Sequence, residues 1–228
     1  TISITNSIAF ANIKDPQKEF GIVRMGGTVG WILAAWPLYF ILAGLPEEEM
    51  LAGQRAVFLV AGVAALALAG FSLTLPHTPP KPSVAGEGLA WAKAASFLKK
   101  PFIAVLFVVT LIDATIHNGY FVMSYPFLSD IGIDAGYIMP VMSIGQVAEV
   151  ATMAVLGLAL KKLGWRMTMI IGVLGHAARF AVFAYCRDHS LIMVIQVLHG
   201  VCYAFFFATV YIFIDAYFPK DVRTSAQG

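Results

Sequence analysis

Long apolar runs separated by short polar turns make up most of the chain. Because about 20 mainly apolar residues cross a bilayer, the pattern predicts six whole transmembrane helices and a partial one at residues 1 to 12. The six whole spans are expected at 22 to 45, 55 to 75, 102 to 128, 136 to 160, 167 to 187 and 190 to 215. The turns are too short to form a soluble domain. The sequence therefore predicts an all-α polytopic membrane protein.

The composition agrees with this interpretation. Of the 228 residues, 59% are hydrophobic and 12% are charged, whereas an average soluble domain has about 25% charged residues. So few charges could not cover a soluble surface of this size, so apolar side chains must face lipid or one another. The net charge of +2 gives no reason to expect a nucleic-acid partner.

Basic residues alternate between the two sides of the predicted membrane. The connections on one side hold 12 Lys and Arg residues and those on the other side hold 2, while Arg179 lies inside a span. Cytoplasmic connections carry the excess of Lys and Arg in membrane proteins. We therefore place the first set, which includes the connection before span 22 to 45, in the cytoplasm.

One connection, residues 76 to 101, is longer than the others and separates two lobes, 1 to 75 and 102 to 228. It begins with a Pro-rich stretch and continues as a short amphipathic helix with Trp91, Phe97 and several lysines. Such a helix suits the headgroup region of a membrane. We expect a cytoplasmic linker that lies on the membrane surface.

Ionisable residues occur inside the predicted spans, where each costs about 2.5 kcal/mol or more unless it pairs or faces a cavity. They are Asp113, His117, Glu149, His176, Arg179 and His199. Helical spacing places Gln146 on the same face as Glu149, among methionines, and places His199 on the same face as Tyr203. The sequence thus predicts a polar cavity between three neighbouring spans.

Two roles remain open for Glu149. By residue count, Glu149 and Arg179 both lie about 18 Å from the cytoplasmic ends of consecutive helices, so they could form a static charge pair. Alternatively, Glu149 binds a substrate or carries a proton. For His117 and His199 a packed structural role competes with a functional one, while Asp113 is a further functional candidate.

Catalytic and metal-binding patterns are absent from the sequence. There is no H-E-x-x-H motif and no nucleophile elbow, and Cys186 and Cys202 lack the spacing of a metal site or of a disulfide framework. We therefore expect neither an enzyme nor a metal site nor an organic cofactor.

Several motifs resemble those of a known family. They are Thr5-Asn-Ser-Ile-Ala-Phe10, Phe20-Gly-Ile-Val-Arg-Met-Gly-Gly-Thr-Val-Gly-Trp31, Ser143-x-x-Gln-x-x-Glu149, Leu198-His-Gly-Val-Cys-Tyr203 and Arg223-Thr-Ser-Ala-Gln-Gly228. Together they are similar to the nucleoside:proton symporter family of the major facilitator superfamily. A degenerate form of the superfamily's loop signature also occurs at 157 to 166.

The resemblance implies spans four to ten of a twelve-span protein in the cytoplasmic (inner) membrane of a bacterium. It further implies a monomer that imports nucleosides by alternating access between its two halves, driven by the proton gradient and without a cofactor. Its substrate-binding positions would be Arg24, Thr28, Trp31, Thr115, Asn118, Gln146, Glu149, His199 and Tyr203.

One position departs from the family pattern. The family commonly carries an Asp after the Cys-Tyr pair, where this chain has Ala204. With that acid missing, the resemblance implies that Glu149, or Asp113 with His117, carries the proton.

Two other functions remain compatible with the sequence. One is a proton symporter of the same superfamily that carries a sugar or another polyol. The other is a non-transporting membrane receptor or scaffold whose buried charges only join helices.

Overall fold

The computed structural model describes residues 2–42, 45–79, 90–219 and 222–227, and this part of the chain is helical without strands. Residues 80–89, which hold most of the Pro-rich part of the predicted linker at 76 to 101, lie outside the described residues. The structure thus has the all-α architecture that the apolar runs predict.

Ten α-helices are described. They are α1 (Ile2–Asn12), α2 (Pro16–Leu42), α3 (Met50–Ser72), α4 (Ala90–Ser96), α5 (Pro101–Asp130), α6 (Ala135–Tyr185), α7 (His189–Ile195), α8 (Val197–Cys202), α9 (Thr209–Tyr217) and α10 (Arg223–Gln227). A π-helical segment, Tyr203–Ala208, joins α8 to α9. Helices α7 to α9 and this segment follow one another as one long, locally distorted span.

Helix ends carry recognisable signals. Proline occupies the start of α2 and of α5, where its missing N–H costs nothing. The Asp188 carboxylate caps α7 by accepting a 2.8 Å hydrogen bond from the Leu191 amide. Just before α2, a hydrogen bond from the exposed Lys18 ammonium lowers the pKa of the Asp15 carboxyl.

Helix α6 is two spans in one continuous run of 51 residues. The run is interrupted at Gly164, whose φ of 72° lies in the left-handed region that glycine adopts without strain. A straight helix of this length would be more than twice as long as a bilayer core is thick. The interruption falls between the predicted spans 136 to 160 and 167 to 187, as expected for a turn at a membrane surface.

Four helical stretches of the described chain are long and apolar enough to cross a membrane. They are Arg55–Ser72, Pro101–Asp130, Tyr137–Tyr185 and His189–Tyr217. Helix α2, with 27 residues, covers most of the predicted span 22 to 45.

The buried apolar residues form two clusters. The larger cluster joins α2, α6, α9 and the π-helical segment around Phe20, Met153 and Phe206, and the smaller joins α5, α6 and α7 around Leu128 and Ile138. Helices α2 and α6 approach closely at glycines. A β-carbon at Gly21 would lie 2.8 Å from the Met153 carbonyl oxygen, and one at Gly157 would lie 2.9 Å from that of Gln17.

The polar cavity between α2, α5, α6 and α8

A cavity of about 340 Å³ lies between α2, α5, α6 and the span that contains α8. Pockets of about 300 to 1,000 Å³ are typical of sites for small molecules. Its wall combines aromatic rings with amide, carboxylate, hydroxyl and guanidinium groups. The lining residues are Ile2, Arg24, Gly27, Thr28, Trp31, Ala114, His117, Asn118, Phe121, Gln146, Glu149, His199, Tyr203, Phe207 and Tyr211.

The Glu149 carboxylate is fixed on one side of this cavity. Its side chain is buried, and its Oε1 accepts a 2.5 Å hydrogen bond from the Thr28 hydroxyl on α2. Its Oε2 lies 3.7 Å from Nε2 of His199 on α8. The Glu149 carboxylate on α6 thus connects α2, which precedes the linker, with α8, which follows it.

Glycines allow α6 and α8 to touch at this level. A β-carbon on Gly200 would lie 2.2 Å from the backbone nitrogen of Glu149, and one on Gly145 would lie 2.9 Å from Cβ of His199. Only glycine permits such an approach of two helix backbones. This contact brings Gln146, Glu149 and His199 within reach of one another.

Arg179 determines which ring nitrogen of His199 carries the proton. The guanidinium Nη1 of Arg179 donates a 2.6 Å hydrogen bond to Nδ1 of His199, and arginine has no acceptor atom. The proton of the neutral His199 ring is therefore on Nε2, which faces the cavity. Nε2 lies 3.1 Å from the Gln146 amide, whose oxygen accepts this proton when the amide is turned towards it.

Arg179 is fully buried behind His199. Its guanidinium carbon lies 4.2 Å from the centre of the Tyr120 ring and 4.9 Å from that of Phe180, so two aromatic faces share its charge. The described ion pairs do not include one between Arg179 and Glu149. Both residues contact His199, which lies between them, so the direct static pair does not form in this structure.

Arg24 reaches the cavity from α2 despite its position near the predicted cytoplasmic end. Its guanidinium donates hydrogen bonds to the Tyr203 hydroxyl through both Nε and Nη2, and its carbon lies 4.9 Å from the centre of the Tyr203 ring. The long side chain makes this possible because it extends along the helix. Arg24 therefore contributes a positive charge to the cavity wall.

The π-helical segment aligns the aromatic side of the cavity. His199, Tyr203, Phe207 and Tyr211 all line it at four-residue steps. In a regular α-helix each such step turns by about 40°, so the four residues would spread over about 120°. The wider π-helical turn at Tyr203–Ala208 reduces this drift and keeps them on one side.

Most of the predicted binding residues meet in this cavity. All of them line it except Thr115, which is exposed and whose hydroxyl donates to the Leu111 carbonyl of its own helix. The methionines expected beside Gln146 and Glu149 behave differently. Met142 and Met153 are buried in the two apolar clusters rather than facing the cavity.

The proton-coupling candidates separate into two places. Glu149 and His117 line the cavity, whereas Asp113 lies behind it and pairs with His176, with 2.7 Å between Oδ1 and Nδ1. The resemblance implied that Asp113 together with His117, one helical turn away on the same face, carries the proton. In the structure the Asp113 carboxylate bonds to His176 on α6.

Sequence reasoning did not assign Phe121, Phe207 or Tyr211 to the cavity. Phe207 belongs to an aromatic run at 205 to 207, and its direction depends on the π-helical turn. Ala204 is buried and is not among the lining residues, and its carbonyl accepts a hydrogen bond from Thr209. Across the described ranges, no group of three or more His, Cys, Asp or Glu side chains could hold a metal ion.

Membrane-crossing helices around a cavity lined by polar groups define an integral membrane protein with the architecture of a secondary transporter. The family follows from comparison with known proteins. A family model described as nucleoside H+ symporter matches residues 1–228, and the chain belongs to this family. The fold is an all-α bundle of membrane-crossing helices, and the protein resides in the inner membrane.

Individual relatives agree with this assignment. The chain is 30% identical to YegT of Escherichia coli K12, a candidate nucleoside transporter, and 26% identical to the xanthosine permease of the same organism. The matches cover 100% of this chain and 55% and 57% of those proteins. A crystal structure of a point variant of the nucleoside transporter NupG superposes with a TM-score of 0.69 at 23% identity, over 97% of this chain and 58% of that one. The chain thus spans a little over half the length of these relatives.

Proposed function

We propose that the protein imports nucleosides across the inner membrane by proton symport with alternating access. The observation that carries this proposal is the cavity, in which a carboxylate, two amides and a guanidinium face a row of aromatic rings. The matched family and the nucleoside permeases among the relatives support the substrate class. The energy source in this proposal is the proton gradient, and no cofactor is required.

The cavity offers separate partners for the two parts of a nucleoside. A base can stack on the rings of Trp31, Tyr203 and Phe207, since aromatic faces stack on any base. Ribose hydroxyls can donate to Glu149 and bond to the amides of Gln146 and Asn118. Arg24, Thr28 and His199 complete the proposed contacts by holding Tyr203, Glu149 and Gln146 in place.

Thr115 stays a weaker part of this proposal. In the structure its hydroxyl is bonded within α5 and does not reach the cavity. A rotation of α5 during the transport cycle would be needed to bring it to the substrate. We therefore assign nucleoside contact on α5 to Asn118, one helical turn further along.

Competition experiments test the substrate class. Purified full-length protein is titrated with uridine and adenosine in a calorimeter, and then with free base, free ribose and a disaccharide. We expect saturable nucleoside binding that neither the free base nor free ribose displaces at equal concentration. Preferential binding of the disaccharide would favour a sugar symporter, and the absence of any ligand-induced rise in melting temperature would favour a receptor or scaffold.

A further inference from the structure

Asp113 and His176 form a buried pair that the proposed nucleoside contacts leave unused. Asp113 is 3% exposed and His176 is 2% exposed, and neither lines the cavity. Nδ1 of His176 lies 2.7 Å from Oδ1 of Asp113, so the Nδ1–H of the ring donates a hydrogen bond to the carboxylate. The pair connects α5 with the second half of α6, behind the cavity wall.

Both partners keep one polar atom free. In the described part of the chain, neither Oδ2 of Asp113 nor Nε2 of His176 has a hydrogen-bond partner. Because Nδ1 already carries the proton of the neutral ring, Nε2 is a basic nitrogen with an open lone pair. A buried group of this kind is costly and is typical of a functional site.

His117 connects this pair to the cavity. Its ring lines the cavity, lies 5.8 Å from the ring of His176 between centroids, and stacks on the ring of His199 at 5.3 Å. Nδ1 of His117 also lacks a partner among the described atoms. The His117 imidazole, with its unpartnered Nδ1, therefore lies between the cavity and the ring of His176.

The groups that face the pair have a balanced charge. They are His117 on α5, Arg179 on α6, and His199 and Cys202 on α8. With neutral histidines, the Asp113 carboxylate offsets the Arg179 guanidinium, as Glu149 faces Arg24 across the cavity. The buried region is then neutral and can take up one positive charge beside Asp113.

We propose that His176, held by Asp113, binds the transported proton. The proton comes from the outer medium through the cavity, passes His117, and forms an N–H bond at Nε2 of His176. The resulting imidazolium is paired with the Asp113 carboxylate, and the same N–H bond breaks when the cavity faces the cytoplasm. This rests on the proposed symport and deepens it, since it gives the proton a site separate from that of the nucleoside.

The test uses the full-length protein in liposomes with a His176→Gln variant. Glutamine keeps a donor for Asp113 but has no basic nitrogen. We expect nucleoside binding and nucleoside exchange in the absence of a gradient to stay near the wild-type level. Gradient-driven uptake should fall by about 100-fold, as expected for the loss of a proton-transfer group, and nucleoside-induced alkalinisation of the medium should disappear.

Two further variants keep the outcome interpretable. His117→Phe preserves the ring contacts but interrupts the link, so it should also uncouple uptake from the proton gradient. Ser124→Ala removes a buried hydroxyl that donates to the Tyr120 carbonyl of its own helix α5, and should leave coupling unchanged.

The outcomes separate the two proposals. If the His176→Gln variant still takes up nucleoside with wild-type proton flux, His176 is not the proton site. If Glu149→Gln abolishes proton flux while nucleoside binding persists, the proton site is Glu149 and the assignment to His176 is wrong. If wild-type protein neither binds nor transports nucleosides, the proposed function itself fails.

Discussion

At the residue scale, the chemistry of the cavity depends on which nitrogen of His199 carries its proton. Arg179 can only donate, so it fixes Nδ1 as the acceptor and turns the Nε2 proton towards Gln146 and Glu149. A buried arginine outside the cavity thus decides that His199 is a donor inside it. The carboxylate of Glu149 remains an acceptor for a substrate hydroxyl.

The role of Glu149 can be tested with Glu149→Gln. The glutamine oxygen can still accept the Thr28 hydrogen bond, so the side chain should keep its place. A hydrogen bond to a charged group contributes about 1.5 to 3 kcal/mol, so nucleoside affinity should fall by roughly 10- to 100-fold. Affinity for a 2′,3′-dideoxynucleoside should change little, because it lacks the hydroxyls. Equal losses for both ligands would contradict ribose recognition by Glu149.

A second prediction concerns the charge partner of Arg179. Arg179→Met removes a buried charge and leaves Asp113 without compensation, which should lower the free energy of unfolding by about 3 kcal/mol. Adding Asp113→Asn should restore much of the thermal stability, whereas adding Glu149→Gln should not. Rescue by Glu149→Gln instead would support the direct pair that the sequence suggested.

Counting residues along the sequence could predict how deep a side chain lies in the membrane, but not which side chain it contacts. It placed Glu149 and Arg179 at one level of the membrane, and both do meet His199 there. It could not show that His199 would stand between them, because helix rotation depends on packing with neighbours rather than on sequence position. The same limit applies to Asp113, whose contact with His176 on α6 could not be read from the sequence.

At the element scale, glycines determine how close the cavity helices come. Gly200 on α8 rests against the backbone of Ala148 and Glu149 on α6, and Gly145 rests against His199. The sequence predicted the helices themselves from their apolar periods. It could not identify these two glycines as contact points, because a glycine with open space around it, such as Gly119, looks the same in sequence.

The contact at Gly200 predicts a sharp difference between two alanine substitutions. Gly200→Ala places a methyl group 2.2 Å from the Glu149 nitrogen, and such overpacking costs about 1 to 3 kcal/mol. Thermal unfolding in detergent should occur at a clearly lower temperature, with weaker nucleoside binding. Gly119→Ala is the matched control, since a β-carbon there meets nothing within 4 Å and alanine favours the helix. Similar melting temperatures for both variants would contradict the close approach.

The π-helical segment is a second feature that could not be predicted from the periodicity of apolar residues in the sequence. A regular helix would turn Tyr211 away from His199, yet both line the cavity. Periodicity assumes 3.6 residues per turn, so a single wider turn shifts every later residue. The sequence contains the aromatic run 205 to 207, but only the structure shows which of its rings faces the cavity.

At the scale of the whole molecule, the two predicted lobes meet along α2 and α6. Their close contacts, at Gly21 and Gly157, lie at the end that the basic residues place in the cytoplasm. Alternating access would require these contacts to separate and form again in each cycle. The same helices carry Thr28 and Glu149, so movement of the lobes would also change the cavity.

A bulky residue at the contact should therefore impair transport more than binding. Gly157→Leu would clash with the backbone of Gln17 and keep the cytoplasmic end from closing, so uptake should fall strongly while nucleoside binding persists. Gly62→Leu on α3 is the control, because its surroundings within 4 Å are empty. Wild-type uptake by the Gly157→Leu variant would show that this contact is not part of the cycle.

The central claim is nucleoside import driven by protons, and one measurement tests it most directly. Radiolabelled uridine and adenosine uptake is followed in liposomes that contain the full-length protein, with the outside made acidic or kept at the internal pH. The account predicts saturable uptake that accumulates nucleoside against its gradient only when protons flow inward, together with alkalinisation of the medium. Uptake that is absent, unsaturable or indifferent to the proton gradient would contradict it.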